Sequence, residues 1–503
     1  MSSRRRLAKK RGNEQQVNET IWALNSLAGF DDSPPSGGWP PRTQGQREAL
    51  GHVKEVLETR GASVFANKVS RAALKELLQS GVGGYDAAAS ETTVVDYDRR
   101  LAALAEVSSD IPCVSSLVGQ SEAVLLSDPG EHMLLSPLQW GEVSRSSVVI
   151  RPYMDRVLRT DRHAYVTFVG DLWRLGMIDT TLAPADFCYP FFVKKDGNQR
   201  LVWDCRVANR RFKKPPPCRM GSGGAWKRLK KPLSRVASSE GASTGSATQQ
   251  CLDLYFAGLD VKSYFYGLGL PEELAAYFCL PPLSAEEWRT IVPEGVPVFS
   301  GHSWPRLRVC PMGWNWAFFL GQAAMTEQVV QGSGLGPEAV LTDHGEVPSL
   351  EGGRVALLPY CDNSHAAGTD KKKVEEVNAK IQKHLESKGF LIHDIFGPVT
   401  RHRSLGYVLD GQAWTIEPFE ERVASINAAW QAIIRGEPVA GFEVERVLGH
   451  TVHAFCVRPE LLSIFRAVYE FIAKCYFKKV APWKSLIKDY GLIERSGRNA
   501  LTA

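Results

Sequence analysis

Cys-x-x-Cys spacing is missing from this sequence: its ten cysteines stand singly, from Cys113 to Cys475. That leaves no basis for a zinc knuckle, a zinc ribbon or a thioredoxin-type dithiol, and reduced thiols are the simplest expectation. Long hydrophobic runs are missing as well. No stretch reaches membrane-spanning length, and the N-terminus lacks the apolar core of a secretory signal. The chain is therefore expected in the cytoplasm or nucleus, not secreted and without membrane contact. Neither charge sign dominates, since 60 Lys and Arg oppose 55 Asp and Glu for a net +5. Such a tilt toward anionic partners is slight, and an evenly solvated surface would look the same.

What is present is an ordinary globular composition. With 44% hydrophobic and 23% charged residues, disorder of the whole chain is excluded, and 503 residues suit two or three domains. No internal repeat is found. Residues 1–45 read as a basic tail and linker: six Lys or Arg lie between Arg4 and Arg11, and DDSPPSGGWPP follows at 31–41. The basic run suits nuclear import or phosphate contact, and a plain solvated tail equally. Residues 46–135 read as a mainly helical module without an assigned role, with Val53, Val56 and Leu57 on one helical face. Residues 136–420 hold the segments that carry chemistry. They are interrupted at 213–250 by KKPPP, GSGG and SSEGASTGSATQQ, a composition that suggests a flexible surface insertion. Residues 421–482 read as helical, with one helix expected to begin at Pro459, and 483–503 as a tail.

Four segments stand out. YFAGLDVKSYFYGLGLP (255–271) is a β-rich run that ends on Asp260, with aromatics at Tyr264, Phe265 and Tyr266. A strand-end Asp can hold a metal over a sheet; it is also a common turn former. VALLPYCDNSHAAG (355–368) reads as a hairpin whose tip carries Cys361, Asp362 and Asn363. Between them, VCPMGWNWAFFLGQ (309–322) bends at Pro311 and Gly313 and opens a helix near Trp316, either a cradle for a flat ligand or an aromatic-rich core helix. Upstream, FFVKKDGNQRLVWDCRVANRRF (191–212) is a hairpin with Lys194, Lys195 and Arg200, suited to a triphosphate or to a solvated edge. Further on, Val374, Val377, Ile381 and Leu385 recur at helical spacing from Lys371 to Lys388, and Gly389 is a stop.

In this order the segments resemble the reverse transcriptase family. The first hairpin is similar to its fingers, LDVKSYFYGLGLP to motif A, CPMGWNWAFFLGQ to motif B, and LPYCDN to the Tyr-x-Asp-Asp box of motif C. A helix ending in SKGF stands at motif D, and RSLGYVLDG (403–411) resembles the primer-grip strand. The resemblance spans about residues 150–420. Within the family, PMGWNW and the long interruption look most like the retroelement-derived reverse-transcriptase-like proteins of dinoflagellates. Through IWALNSLAG (21–29) that resemblance extends into the N-terminal module.

The resemblance implies an α+β fold: a right-hand polymerase palm, an antiparallel sheet backed by helices, with fingers, a helical thumb at 421–482 and the helical N-terminal module. It implies RNA-directed DNA synthesis from dNTPs on an RNA template and DNA primer, by two Mg²⁺ ions, with Mn²⁺ as a substitute. Asp260, Asp362 and Asn363 take the catalytic positions, and Asp260, Asp362 and the Val261 carbonyl the metal positions. Lys194, Arg200, Phe265, Met312 and Gly313 fall on the nucleotide positions. Phe265 is the aromatic that excludes a ribose 2′-hydroxyl, so an RNA polymerase reading is disfavoured. Tyr360, Leu405, Gly406 and Tyr407 fall on the primer and template positions. No oligomeric state is implied.

The pattern departs from the family at three places. Asn363 replaces a carboxylate and removes one negative charge beside two dications. FLIHDIF after Gly389 offers no Lys to protonate pyrophosphate, leaving His393 as the candidate acid or as a structural histidine. Only about twenty residues follow Pro482, too few for the RNase H domain that family members commonly carry. The alternative function is a degenerate relic that binds nucleic acid without synthesis.

Overall fold

The computed structural model describes residues 94–487, apart from 105–109, 146–149, 196, 233–251, 436–437, 458–461 and 463–464. The basic run at 4–11, the IWALNSLAG stretch and the helical pattern around Val53 lie outside the described residues, as does Pro459. Helices and mainly antiparallel sheets alternate along the chain.

Strand β1 (Tyr189–Lys195) pairs with β2 (Asn198–Asp204) in register from Tyr189↔Asp204 to Lys195↔Asn198. Residues upstream complete this sheet: Val94–Val95 pairs antiparallel with β1, and Ala102–Ala103 pairs parallel with β2. Tyr97 packs its ring 5.6 Å from Phe168 and 4.9 Å from Phe192. The described part of 46–135 therefore differs from the expected helical module. Short helices occur at Gln120–Ser127 and Pro129–His132, but its strands and Tyr97 share the hairpin's core, because a hairpin alone cannot bury its apolar face.

The central sheet has four antiparallel strands, β3 (Tyr255–Val261), β4 (Val355–Tyr360), β5 (Asn363–Gly368) and β6 (Ile392–Val399), in the order β6-β3-β5-β4. Alternation along each strand divides the apolar residues between two faces. Ala257, Leu259, Leu357 and Ala366 join the core containing helices α1 (Ala317–Ser333) and α2 (Lys371–Ser387). α2 is the helix expected from periodicity: Val374, Val377, Ile381 and Leu385 are buried, and Asp370 caps the N–H groups of Lys372 and Lys373. Each such buried side chain contributes roughly 1.5–3 kcal/mol.

The second face, with Phe256, Leu358, Tyr360 and Ala367, packs on a different layer. Part of it comes from residues 213–232, read above as the start of a flexible insertion. Here a 3-10 turn, Gly223–Arg228, buries Ala225 and Trp226. Gly223 lies so close under Tyr407 that an added Cβ would sit 2.1 Å from its ring. Tryptophan burial and this close approach seat the segment despite its composition; residues 233–251 lie outside the description. The rest of the layer is a meander, β7 (Arg401–Ser404), β8 (Tyr407–Asp410) and β9 (Thr415–Pro418).

Three helices follow, α3 (Glu420–Ile434), α4 (Gly441–Phe455) and α5 (Arg466–Cys475), with a core of their own around Trp430, Phe455, Phe465 and Phe471. Trp483 and Leu486 pack onto it. α5 begins at Arg466; Val468 and Ile472 are buried, while Tyr469 is exposed. Among the described residues, no helix is long and apolar enough to cross a membrane.

Three histidines lie in and around the second layer, His365 buried and His402 and His453 half-buried. His365 on β5 lies with Nε2 3.2 Å from Ser404 Oγ, His402 on β7 stacks 3.7 Å from Phe396, and His453 on α4 stacks on Tyr407. Burial pushes them down to about 4, about 3 and about 4 respectively. The folded state thus resists protonation that the unfolded chain accepts near pH 6.5. Stability should be full above pH 6.5 and fall toward pH 4, by about 1.4 kcal/mol per pH unit for each proton taken up on unfolding. Urea titrations across this range should show a shallower acid loss for His402→Phe, and equal slopes would refute this origin.

Candidate active site

Asp260 is the last residue but one of β3, and its cross-strand partner on β5 is Asn363. Tyr360 pairs with Asn363 across the β4–β5 hairpin, so Cys361 and Asp362 form a two-residue turn. Cys361 has φ +48, a left-handed conformation favoured in such turns. The Asp362 carbonyl accepts the Val261 N–H at 2.8 Å, which locks the turn onto the strand that carries Asp260. The two acidic residues, 102 positions apart in the chain, therefore meet at one end of one sheet. Asn363 donates its amide N–H to Asp362 Oδ1 at 3.0 Å, leaving its own amide oxygen as the donor atom for a cation.

The turn is held from below by a residue that sequence reasoning did not single out. Buried Gln322 on α1 accepts the Cys361 N–H at 2.9 Å and donates to the Pro359 carbonyl at 3.0 Å. A glutamine inside the apolar run AFFLGQAAM was the available signal, since a buried amide needs specific partners.

The segments assigned to the nucleotide converge through backbone contacts. After Ser263, at φ +53, Tyr264 and Tyr266 turn inward and donate their hydroxyls to the carbonyls of Gly321 and Leu201, at 2.7 and 3.1 Å. Phe265 between them stays partly exposed, the one aromatic of the three available to a ligand. The second bond places Phe265 one residue from a contact with the neighbour of Arg200. The bend at Met312–Gly313 docks on β2: Trp203 N–H donates to the Met312 carbonyl at 3.2 Å, and Asn209 donates to the Gly313 carbonyl at 2.9 Å. Gly313, at φ +128, could carry no side chain, because a Cβ would lie 2.1 Å from the Trp203 carbonyl oxygen. Lys194 and Arg200 are both exposed, but Lys194 lies opposite Gln199 and Arg200 opposite Val193, so alternation puts the two cations on different faces of the hairpin.

The primer-strand positions are placed differently from surface contacts. Tyr360, Leu405, Gly406 and Tyr407 are all buried. Leu405 and Gly406 form the β7–β8 turn, with φ +48 and +88, and Tyr407 donates its hydroxyl to the His453 carbonyl while stacking on that ring. As they stand, these side chains join the meander to α4 rather than face outward. The resemblance that singled out RSLGYVLDG could not show which face α4 would cover.

β6 shifts register twice against β3, and the shift at the site end is a bulge: Ile392 pairs with Val261 and Asp394 with Asp260, leaving His393 as the extra residue. Its Nδ1 is bound to Asp394 Oδ2 at 2.8 Å, and both side chains are mostly exposed. Among the described residues, no three His, Cys, Asp or Glu side chains converge as a metal site. Two carboxylates nevertheless fit Mg²⁺, which is commonly held by one or two together with water and substrate phosphates.

Gln322→Leu should remove both bonds to the turn and destabilise the protein by about 1–3 kcal/mol. Gln322→Glu retains an acceptor for Cys361 but sets a buried carboxylate against the Pro359 carbonyl. Its loss should therefore shrink as falling pH protonates it, whereas that of Gln322→Leu should not; urea denaturation of both variants across pH checks this.

No known family model matches this chain, and no curated protein does. Among solved structures the chain is similar to the foamy viral protease-reverse transcriptase. With double-stranded DNA and described as dRH, that protein gives a TM-score of 0.47 at 13% identity, over 93% of this chain and 62% of that one. With an RNA/DNA hybrid the values are 0.44 and 13%, over 93% and 48%. Another double-stranded DNA complex gives 0.44 and 15%, over 92% and 73%. The chain thus spans less than two thirds of the first two, and a likeness this distant says nothing about its activity.

Proposed function

We propose that this chain is a template-directed DNA polymerase of the reverse transcriptase kind, of retroelement origin. In this reading the β3–β6 sheet with α1 and α2 is the palm, the β1–β2 hairpin the fingers and α3–α5 the thumb. The observation that carries it is the pairing of Asp260 with Asn363, which brings Asp362 to the same sheet end as Asp260.

Asp260 and Asp362 would hold Mg²⁺, with the Asn363 amide oxygen and the Val261 carbonyl as neutral donors. When bound there, Mg²⁺ activates the primer 3′-hydroxyl and offsets charge on the dNTP triphosphate; Mn²⁺ can substitute. Arg200 and Lys194 supply cations for the triphosphate from the hairpin. Phe265 presents an edge to the sugar and selects against a 2′-hydroxyl. Met312 and Gly313 leave an open shelf for the base and sugar. Tyr360, Leu405, Gly406 and Tyr407 act from beneath, fixing the turn and meander against which a primer strand would lie.

A second reading, a relic that binds an RNA template and DNA primer without synthesis, is favoured by Asn363 and by the lack of a Lys in FLIHDIF. Primer extension separates the two. Purified protein with Mg²⁺, dNTPs and a primed RNA template should extend the primer, and Asp260→Ala and Asp362→Ala should each abolish it. No extension with Mg²⁺ or Mn²⁺ over a broad concentration range would eliminate the polymerase reading.

Asn363→Asp restores a negative charge next to Asp362. Half-maximal activity should then need several-fold less Mg²⁺, as expected when a hard cation gains a carboxylate. An unchanged Mg²⁺ requirement would show that Asn363 lies outside the metal's reach.

A further inference from the structure

A glycine stands at the fifth position of α1, where helix propensity argues against one. Gly321 is buried, and glycine weakens a helix interior relative to alanine. The reason lies in packing, because a side chain at 321 would meet two aromatic rings. A Cβ there would lie 2.9 Å from Phe265 Cε1, 3.5 Å from Phe265 Cζ and 3.4 Å from Tyr264 Cε1. Tyr264 is fixed: it is buried, and its hydroxyl donates to the Gly321 carbonyl at 2.7 Å. Phe265 is the ring with room to give, since it is only partly buried.

This contact lies beside the acidic turn. Gln322, the next residue of α1, holds the Cys361 N–H and the Pro359 carbonyl. Tyr264, next to Phe265, is held well above the ordinary phenol range by burial first, and then by Cys361 and Asp362 nearby. The inner edge of Phe265 thus rests on the helix backbone at 321, and its other side is open. An ordinary carbon–carbon contact needs about 3.5–4.0 Å. A methyl group at 321, 2.9 Å from the ring, would therefore drive it toward its open side by roughly 0.6–1.1 Å.

We propose that Gly321 is a specificity-determining residue: by leaving its place empty it seats Phe265 back against α1, and so sets the room a nucleotide sugar has at its 2′ position. The inference rests on the polymerase reading for the identity of the ligand; the seating of Phe265 on Gly321 does not. Ribose and deoxyribose differ by one hydroxyl, and an apolar wall rejects an added hydroxyl only weakly unless it closes on it. Displacements of about 1 Å are enough to change how a packed site holds its ligand. Filling position 321 therefore narrows the sugar site, and ribonucleotides lose more by it than deoxyribonucleotides do.

The test compares the unaltered full chain with Gly321→Ala, Phe265→Ala and the double variant, on a primed RNA template that calls for adenine, with dATP or ATP and Mg²⁺. The readout is the kcat/KM for dATP divided by that for ATP. Gly321→Ala should raise this ratio several-fold, mainly through a higher KM for ATP, and Phe265→Ala should lower it. In the Phe265→Ala background the added methyl meets no phenylalanine ring, so Gly321→Ala should leave the ratio unchanged. A ratio unmoved by either single change would overturn the proposal, as would an equal shift from Gly321→Ala with and without Phe265. Folding of Gly321→Ala only in the Phe265→Ala background would support it. Unfolding in both backgrounds would overturn it, since the helix and not this ring would then require the glycine. Calorimetric titration of dATP and ATP into the complex with a dideoxy-terminated primer gives the affinity ratio without synthesis and keeps the two claims apart. The same pattern of ratios without extension by any of the proteins sinks the polymerase reading alone, whereas extension with an unmoved ratio sinks the role of Gly321 alone. Binding of neither nucleotide overturns both.

Discussion

Everything at the candidate site depends on how one two-residue turn is held. Cys361 and Asp362 are pinned from three directions: the β4–β5 ladder, the Val261 N–H on the Asp362 carbonyl, and the Gln322 amide beneath. A polar side chain as buried as Gln322 is tolerated only because both ends of its amide find backbone partners. The result is a fixed acidic tip beside the end of β3, which a cation site needs and an unsupported surface turn would not provide.

Asn363 shows how a single-atom change can alter such a site while leaving its geometry intact. The amide keeps the cross-strand position opposite Asp260 and binds Asp362 through its N–H. A carboxylate in its place would repel Asp362 at that distance unless a cation stood between them. The lost charge is felt when a cation must be bound.

The layer beneath the second sheet face joins otherwise separate parts of the chain. Trp226, Phe256, His365, Phe396 and His402 come from five elements and form one connected aromatic cluster, while Tyr407 stacks separately on His453 and joins the meander to α4. The primer-strand candidates lie inside this layer rather than on it. Any role they have in holding a primer is therefore exerted through the backbone and neighbours they position.

By itself, the sequence determined the local elements and the chemical inventory. Apolar and β-like runs flanking the turn residues of VALLPYCDN and FFVKKDGNQRLVWD led to hairpins, and the 3.6 period of Val374, Val377, Ile381 and Leu385 led to α2, because turn chemistry and helical spacing are local signals. The acidic residues could be named from their strand-end and turn positions. Tertiary structure alone decided which faces meet: that Gln322 reaches the turn, that Tyr407 is covered by α4, and that 213–232 is seated by Trp226. These are contacts between residues tens to hundreds of positions apart. Local periodicity carries no record of them, because burial is set by the partner and not by the strand that presents the side chain.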